Sequence, residues 1–187
     1  MPVAVSRRRF SADDYQRMGQ AGILRAEDRV ELIDGEIIAM TPIDPRHCAS
    51  VDRANRAFVT TAGDSAIVRV QGSVRLDFYS EPEPDLVLLR PRADFYASAH
   101  PGPADILLIV EVAQSSIDYD REFKSHFYAR SGVHEYWLAD LNENVVTCYS
   151  SPEGGMYQSV RRYTRGQSLA PHLLPECVIS TEDLLSE

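Results

Sequence analysis

The stretch DILLIVEVAQSS, Asp105 to Ser116, constrains the fold of this chain more than any other. Six of its first eight residues are large aliphatics, and a run of β-branched and leucine side chains without polar alternation is the pattern of a central strand covered on both faces. A chain built around such a strand needs a layer of structure on each side of it. Glu111 interrupts the run. An ionised carboxylate there costs several kcal/mol unless it is paired or holds a cation. One reading places Glu111 at the wet C-terminal end of the strand, or in a salt bridge to an arginine, which is a common structural arrangement. The other makes it part of a site, and residues elsewhere must decide.

The 187 residues, 44% of them hydrophobic, suit one globular domain spanning 1–187, and no Pro/Gly/Ser-rich linker divides them. The longest apolar runs, such as 106–110, fall far short of the ~18 residues of a membrane span, and MPVAVSRRRF has no apolar core for a signal peptide. The chain therefore reads as soluble and cytoplasmic. Cys48, Cys148 and Cys177 are scattered without paired spacing, which points to reduced, structural thiols. A net charge of −9 excludes a protein that coats nucleic acid by bulk electrostatics. Any contact with DNA or RNA must be a local basic patch or run through metal ions that bridge to phosphate.

No internal repeat or low-complexity segment is present. Ser11 followed by Asp14 predicts a helix running to about Gly19 or Gly22. DRVELIDGEIIAM alternates around Asp34-Gly35, a strong hairpin signal. DPRHCASVDRANRAFVTTAG opens with Asp44 as cap and Pro45 at the first helical position and stops at Gly63, with a stripe of Cys48, Val51, Ala54, Phe58 and Val59. AIVRV, SVRLDFY and PDLVLLR read as strands, followed by a Pro-rich loop over 91–103. After the buried strand, DYDREFKSHFYARSG predicts a helix ended by Gly132, and HEYWLAD, NVVTCYS and MYQSVRRY predict further strands. Two long helices flanking a mixed sheet give an α/β or α+β sandwich.

Asp85 follows Pro84, which cannot donate to a ladder and so marks a strand start. Glu111 lies 26 residues on, near the end of the next apolar strand. If the two strands are antiparallel neighbours, the start of one lies beside the end of the other and the carboxylates meet. Two carboxylates at one sheet edge form a hard oxygen site suited to Mg²⁺ or Mn²⁺, which keeps waters and substrate phosphate in the rest of its shell. Such an ion generates hydroxide and neutralises charge on a phosphodiester. Lys124, 13 residues beyond Glu111 and four after Asp120, sits on the following helix, from which its ammonium could reach the same site.

EPEPDLVLL, LLIVEVAQSS, DYDREFKSHFYARSGVHEYWLAD and RVELIDGEIIAMTPIDPRH, in that arrangement along the chain, resemble the Uma2 family of the PD-(D/E)xK nuclease superfamily, over roughly Phe10 to Leu185. The resemblance implies a restriction endonuclease-like mixed β-sheet flanked by helices and a Mg²⁺-dependent (or Mn²⁺-dependent) endonuclease acting on nucleic acid, most simply DNA. It further implies Asp85 as the motif aspartate, Glu111 as the second acid and Lys124 as a lysine supplied from the helix, with a homodimer as the superfamily's expectation. The chain departs from the superfamily pattern at Ala113, where a lysine two residues after the second acid is expected.

Further candidates have bland alternatives. Glu31 and Glu36 flank the hairpin turn as extra acids of the site or as a solvated hairpin face. His47 lies in the first turn of the second helix, whose amides could hold a phosphate, or is a surface residue. Gln114 either lines the site or belongs with Ser115 and Ser116 to a turn. Asp120 either orients Lys124 one turn later or complements the helix dipole. His126, Tyr128 and Trp137 read as packing residues, and the clusters at 7–10 and 161–165 as solvated basic surface. The alternative to a nuclease is a catalytically silent relative that uses the same sheet to bind a protein or nucleic acid. No Gly-x-Ser-x-Gly elbow, sugar-cleaving acid pair, P-loop or dinucleotide fingerprint occurs.

Overall fold

The computed structural model describes residues 7–185. Ser11 caps helix α1 (Ala12–Gln20): its hydroxyl accepts from the Asp14 N–H, and the Asp14 carboxylate accepts in return from the Ser11 N–H, so two otherwise orphaned donors are satisfied. Strands β1 (Val30–Ile33) and β2 (Glu36–Ala39) pair antiparallel through Asp34 and Gly35. Both turn residues have positive φ, 53° and 78°, as a two-residue hairpin of matching twist requires. A Cβ on residue 35 would stand 2.6 Å from the Cβ of Arg9, so glycine is needed there for space as well as for backbone angle.

Helix α2 (Pro45–Ala62) starts where the Asp44 side chain accepts from the N–H groups of Arg46 and His47, and stops at Gly63. Val51, Ala54 and Phe58 are buried, whereas Val59 faces solvent and leaves the expected stripe. At about 100° per residue it lies to one side of Phe58.

The main sheet runs β3 (Ile67–Val70), β4 (Leu86–Leu89), β5 (Ile106–Ala113), β6 (Glu135–Asp140), β7 (Val145–Glu153), β8 (Met156–Thr164), side by side in chain order. Every pairing is antiparallel except β5–β6. That parallel join needs a crossover, supplied by a π-helical turn over Tyr119–Lys124 leading into α3 (Ser125–Arg130). The two-residue strands β9 (Ser168–Leu169) and β10 (Ile179–Ser180) pair with each other.

All eight residues of β5 are buried, as its aliphatic run predicts. Leu108, Val110 and Val112 pack in one core with Val51, Ala54 and Phe58 of α2. Ile109 and Ala113 belong to the other, with Phe127 and Tyr128 of α3. Strand alternation therefore directs Glu111 to the α3 layer.

SVRLDFY corrects the expectation of a strand. Val74 and Leu76 are buried, but the segment folds back on itself: the Val74 N–H donates to the Pro82 carbonyl, the Leu76 N–H to that of Ser80, and Asp77 bridges Ser80. Its partner stretch contains Pro82 and Pro84, which have no N–H to extend a ladder. Among the described residues no helix is long and apolar enough to cross a membrane, and the three cysteines are unpaired.

Candidate active site

The antiparallel pairing of β4 with β5 sets Leu86 opposite Val110, so Asp85 arrives beside Glu111. The Asp85 N–H donates to Glu111 Oε2 at 3.2 Å, and the Val112 N–H donates to Asp85 Oδ2 at 2.9 Å. His47, from the first turn of α2, places Nε2 3.0 Å from the same Oδ2. From the other side of the sheet Lys124 Nζ donates to Glu111 Oε1 at 2.8 Å and the Tyr128 hydroxyl to that atom at 2.7 Å. Glu31 and Asp120 stand 3.6 and 3.7 Å from the Lys124 ammonium.

Asp85, Glu111, Lys124, Glu31, Asp120 and His47 are each less than a tenth exposed. They line the floor and sides of one cleft of about 360 Å³, together with Gln114. Two buried polar atoms there, His47 Nδ1 and Gln114 Oε1, have no hydrogen-bond partner among the described residues. The π-helical turn does the positioning on the α3 side. Asp120, Lys124 and Tyr128 fall on one face at intervals of four, and the Ser116 hydroxyl fixes the Asp120 carboxylate from the preceding loop.

Four carboxylates around a single ammonium leave the cluster short of positive charge. Burial pushes Glu111 up to about 8, reinforced by Asp85, Asp120 and Glu31 and only partly opposed by Lys124. Burial also raises Asp120 against the pull of Lys124. Desolvation works against the Lys124 ammonium, but Glu111, Glu31 and Asp120 outweigh it and hold its pKa well above the usual lysine value. Asp85 behaves differently: burial alone would raise it, yet the His47 hydrogen bond and charge, the Val112 N–H and Lys124 keep it below the ordinary aspartate value. His47 is raised, since Asp85, Glu111 and Asp44 overcome the opposing effect of burial.

This donor set suits a hard divalent cation. Among the described residues no three His, Cys, Asp or Glu side chains form a ready-made metal cage, which is unlike a structural zinc site. Asp85 and Glu111 are the carboxylates that could hold a hard cation such as Mg²⁺ or Mn²⁺, which takes one or two protein oxygens and leaves the rest of its shell to water and phosphate.

Of the residues singled out in the sequence, Asp85, Glu111, Lys124, Glu31, His47, Gln114 and Asp120 all converge on the cleft. Glu36 does not. It shares the hairpin face of Glu31 but sits at the turn end, about 7 Å further along at strand spacing, where it is exposed and 3.4 Å from Arg7. Tyr128 is the residue that sequence reasoning assigned to packing and the structure brings to Glu111. It lies four residues beyond Lys124, a spacing that a packing residue shares.

The family model described as "Uma2: Putative restriction endonuclease" matches residues 12–182, nearly the whole chain. The chain belongs to the Uma2 family. In three dimensions this Uma2 protein is similar to the crystal structure of a "putative nuclease belonging to DUF820" from Anabaena variabilis ATCC 29413, with a TM-score of 0.73 and 17% sequence identity over 94% of this chain and 97% of that one. At that identity the likeness establishes the fold alone. No curated protein matches the sequence. The Uma2 assignment thus places the chain in a family described as "Putative restriction endonuclease".

Proposed function

We propose that the cleft is the active site of a metal-dependent endonuclease of the PD-(D/E)xK type that hydrolyses phosphodiester bonds, with DNA as substrate. The observation that carries this reading is the meeting of Asp85 and Glu111 across the β4–β5 pairing, with Lys124 Nζ 2.8 Å from Glu111. An inert scaffold has no use for four buried acids around one lysine, since replacing such an ionic cluster as a whole by well-packed apolar residues is often neutral or stabilising.

Asp85 and Glu111 would hold Mg²⁺ or Mn²⁺. When bound, the cation neutralises charge on the phosphodiester and acidifies a water. His47 and the Val112 N–H fix the Asp85 carboxylate, and Tyr128 fixes that of Glu111. Lys124, held protonated by its carboxylate neighbours, would present N–H donors to the non-bridging phosphate oxygen on which charge builds as the water, giving its proton to solvent, bonds to phosphorus and the bridging P–O bond breaks, the leaving oxygen taking a proton from water. Its place on the helix explains how Ala113, fully buried, can occupy the strand position where a lysine is otherwise expected.

The deciding experiment is cleavage of supercoiled plasmid, single-stranded DNA and RNA with Mg²⁺ or Mn²⁺ and with chelator, comparing wild type with Asp85→Ala, Glu111→Ala and Lys124→Ala. Metal-dependent cutting lost in all three variants is the expected result. Equal cutting by variants and wild type, or no cutting of any substrate, overturns the reading, and the second outcome leaves a nuclease fold used only for binding.

A further inference from the structure

Tyr119 and Phe123, on the π-helical turn, stack with ring centroids 4.9 Å apart and planes 17° from parallel; Phe123 and Phe127 continue the ladder at 6.1 Å and 8°. The inner ring, Phe127, is 1% exposed, but Tyr119 and Phe123 remain 36% and 38% exposed. Tyr119 also lines the cleft that holds Asp85, Glu111 and Lys124. The same cleft is lined by Ile38, Met40, Pro42 and Ile43, apolar residues at the end of β2 and in its connection to α2. Carboxylates that would hold a divalent cation, beside an aromatic ring and aliphatic side chains in one cleft, suit a ligand that carries both a phosphate for the cation and a flat apolar face.

We infer that this cleft takes an unpaired nucleotide, its base stacking on Tyr119 against the apolar lining and its phosphodiester directed to the acidic floor. The inference rests on the nuclease reading and names the substrate class, single-stranded or locally unpaired nucleic acid. Base–aromatic stacking requires a base with an open face, which the interior of a duplex does not offer. A volume of about 360 Å³ lies at the small-ligand end of the ~300–1,000 Å³ typical of pockets.

The test measures fluorescence anisotropy of labelled short oligonucleotides of one sequence, as single-stranded DNA, single-stranded RNA and blunt DNA duplex, against the full chain with Ca²⁺ as cation. Single strands are expected to bind more tightly than the duplex, and the DNA and RNA arms report whether the sugar matters. Tyr119→Ala should weaken single-strand binding about 5- to 150-fold, with Tyr119→Phe retaining it. Circular dichroism of both variants confirms the fold. Equal or tighter duplex binding, no binding of any oligonucleotide, or single-strand binding unchanged in Tyr119→Ala overturns the inference. Parallel cleavage with Mg²⁺ separates the two readings. Duplex cut equally by wild type and Tyr119→Ala, with single strands untouched, sinks this inference alone, whereas a single-strand preference without any cleavage sinks only the nuclease reading.

Discussion

Glu111 and Glu135 look alike in the sequence: each is an acid in an apolar strand, one near the end of β5 and one at the start of the adjoining β6. Each is almost completely buried, at 4% and 2% exposure. Their surroundings differ. Glu135 accepts from the Trp137 indole N–H at 2.6 Å and from the His172 backbone N–H at 2.7 Å, one donor per oxygen, and the half-exposed His172 imidazole stands 3.9 Å away, so its hydrogen bonds are satisfied with no other acid competing for them. Glu111 shares one ammonium with Glu31 and Asp120 and lies against the Asp85 backbone. A buried acid alone is therefore weak evidence of a site, because neutral hydrogen bonds suffice to bury it. Convergence of several acids on too little positive charge is the distinguishing feature.

The sharpest contrast is catalytic. Glu111→Gln or Asp85→Asn should reduce metal-dependent cleavage about a thousandfold or more, on the scale of the several kcal/mol a correctly held cation supplies, while Glu135→Gln leaves the rate of the folded protein unchanged; initial rates on the preferred substrate check this. Stability comes next. Lys124→Met removes the single ammonium from a buried cluster and should destabilise the metal-free protein by about 3–5 kcal/mol, against about 1–3 kcal/mol for Glu135→Leu, which orphans two neutral donors. Urea unfolding in chelator measures both, and Mg²⁺ should recover part of the Lys124→Met loss but none of that from Glu135→Leu.

A third contrast lies in pH. A carboxyl raised in the folded state from 4.5 to about 8 binds its proton more tightly than in the unfolded chain. Its contribution to stability is thus complete below about 4.5 and is lost as pH climbs to about 8. Metal-free wild type should show this decline across that window, and Glu111→Gln should lack it; a decline of equal steepness in both proteins would assign it to another group. The smallest effect belongs to the hairpin. Glu36→Gln should shift stability by no more than about 0.5 kcal/mol and leave cleavage intact, whereas Glu31→Gln, 3.6 Å from Lys124, should alter both.

The fold was most legible where one signal had one interpretation. The aliphatic run of β5, the Asp34-Gly35 turn and the Asp44-Pro45 helix start each state a local rule, and each element formed as read. SVRLDFY misled because alternation reports which side chains are buried, which is true of Val74 and Leu76, and says nothing of whether a partner with free N–H groups lies alongside. The short β9–β10 pair carries too few residues for periodicity to register. In the site, Asp85 and Glu111 were readable because Pro84 and the β5 run fix the strand ends. Tyr128 was not, because a tyrosine that packs and one that also donates to a buried carboxylate share the same helical position.

The placement of Lys124 on the crossover, away from β5, also affects how the cluster comes into being. Asp85 precedes β4, Glu111 is on β5 and Lys124 is in the turn before α3, so no single element holds two members of the trio. A lysine at residue 113 would have stood beside Glu111 as soon as β5 was extended. Here the acid and its ammonium meet only after the crossover has docked on the sheet. Openings of short helical segments require less free energy than disruption of central strands. Local fraying over Tyr119–Lys124 would therefore dismantle the cluster while leaving the six-stranded sheet intact, and amide exchange in that turn would report the fraction of molecules in which the site is assembled.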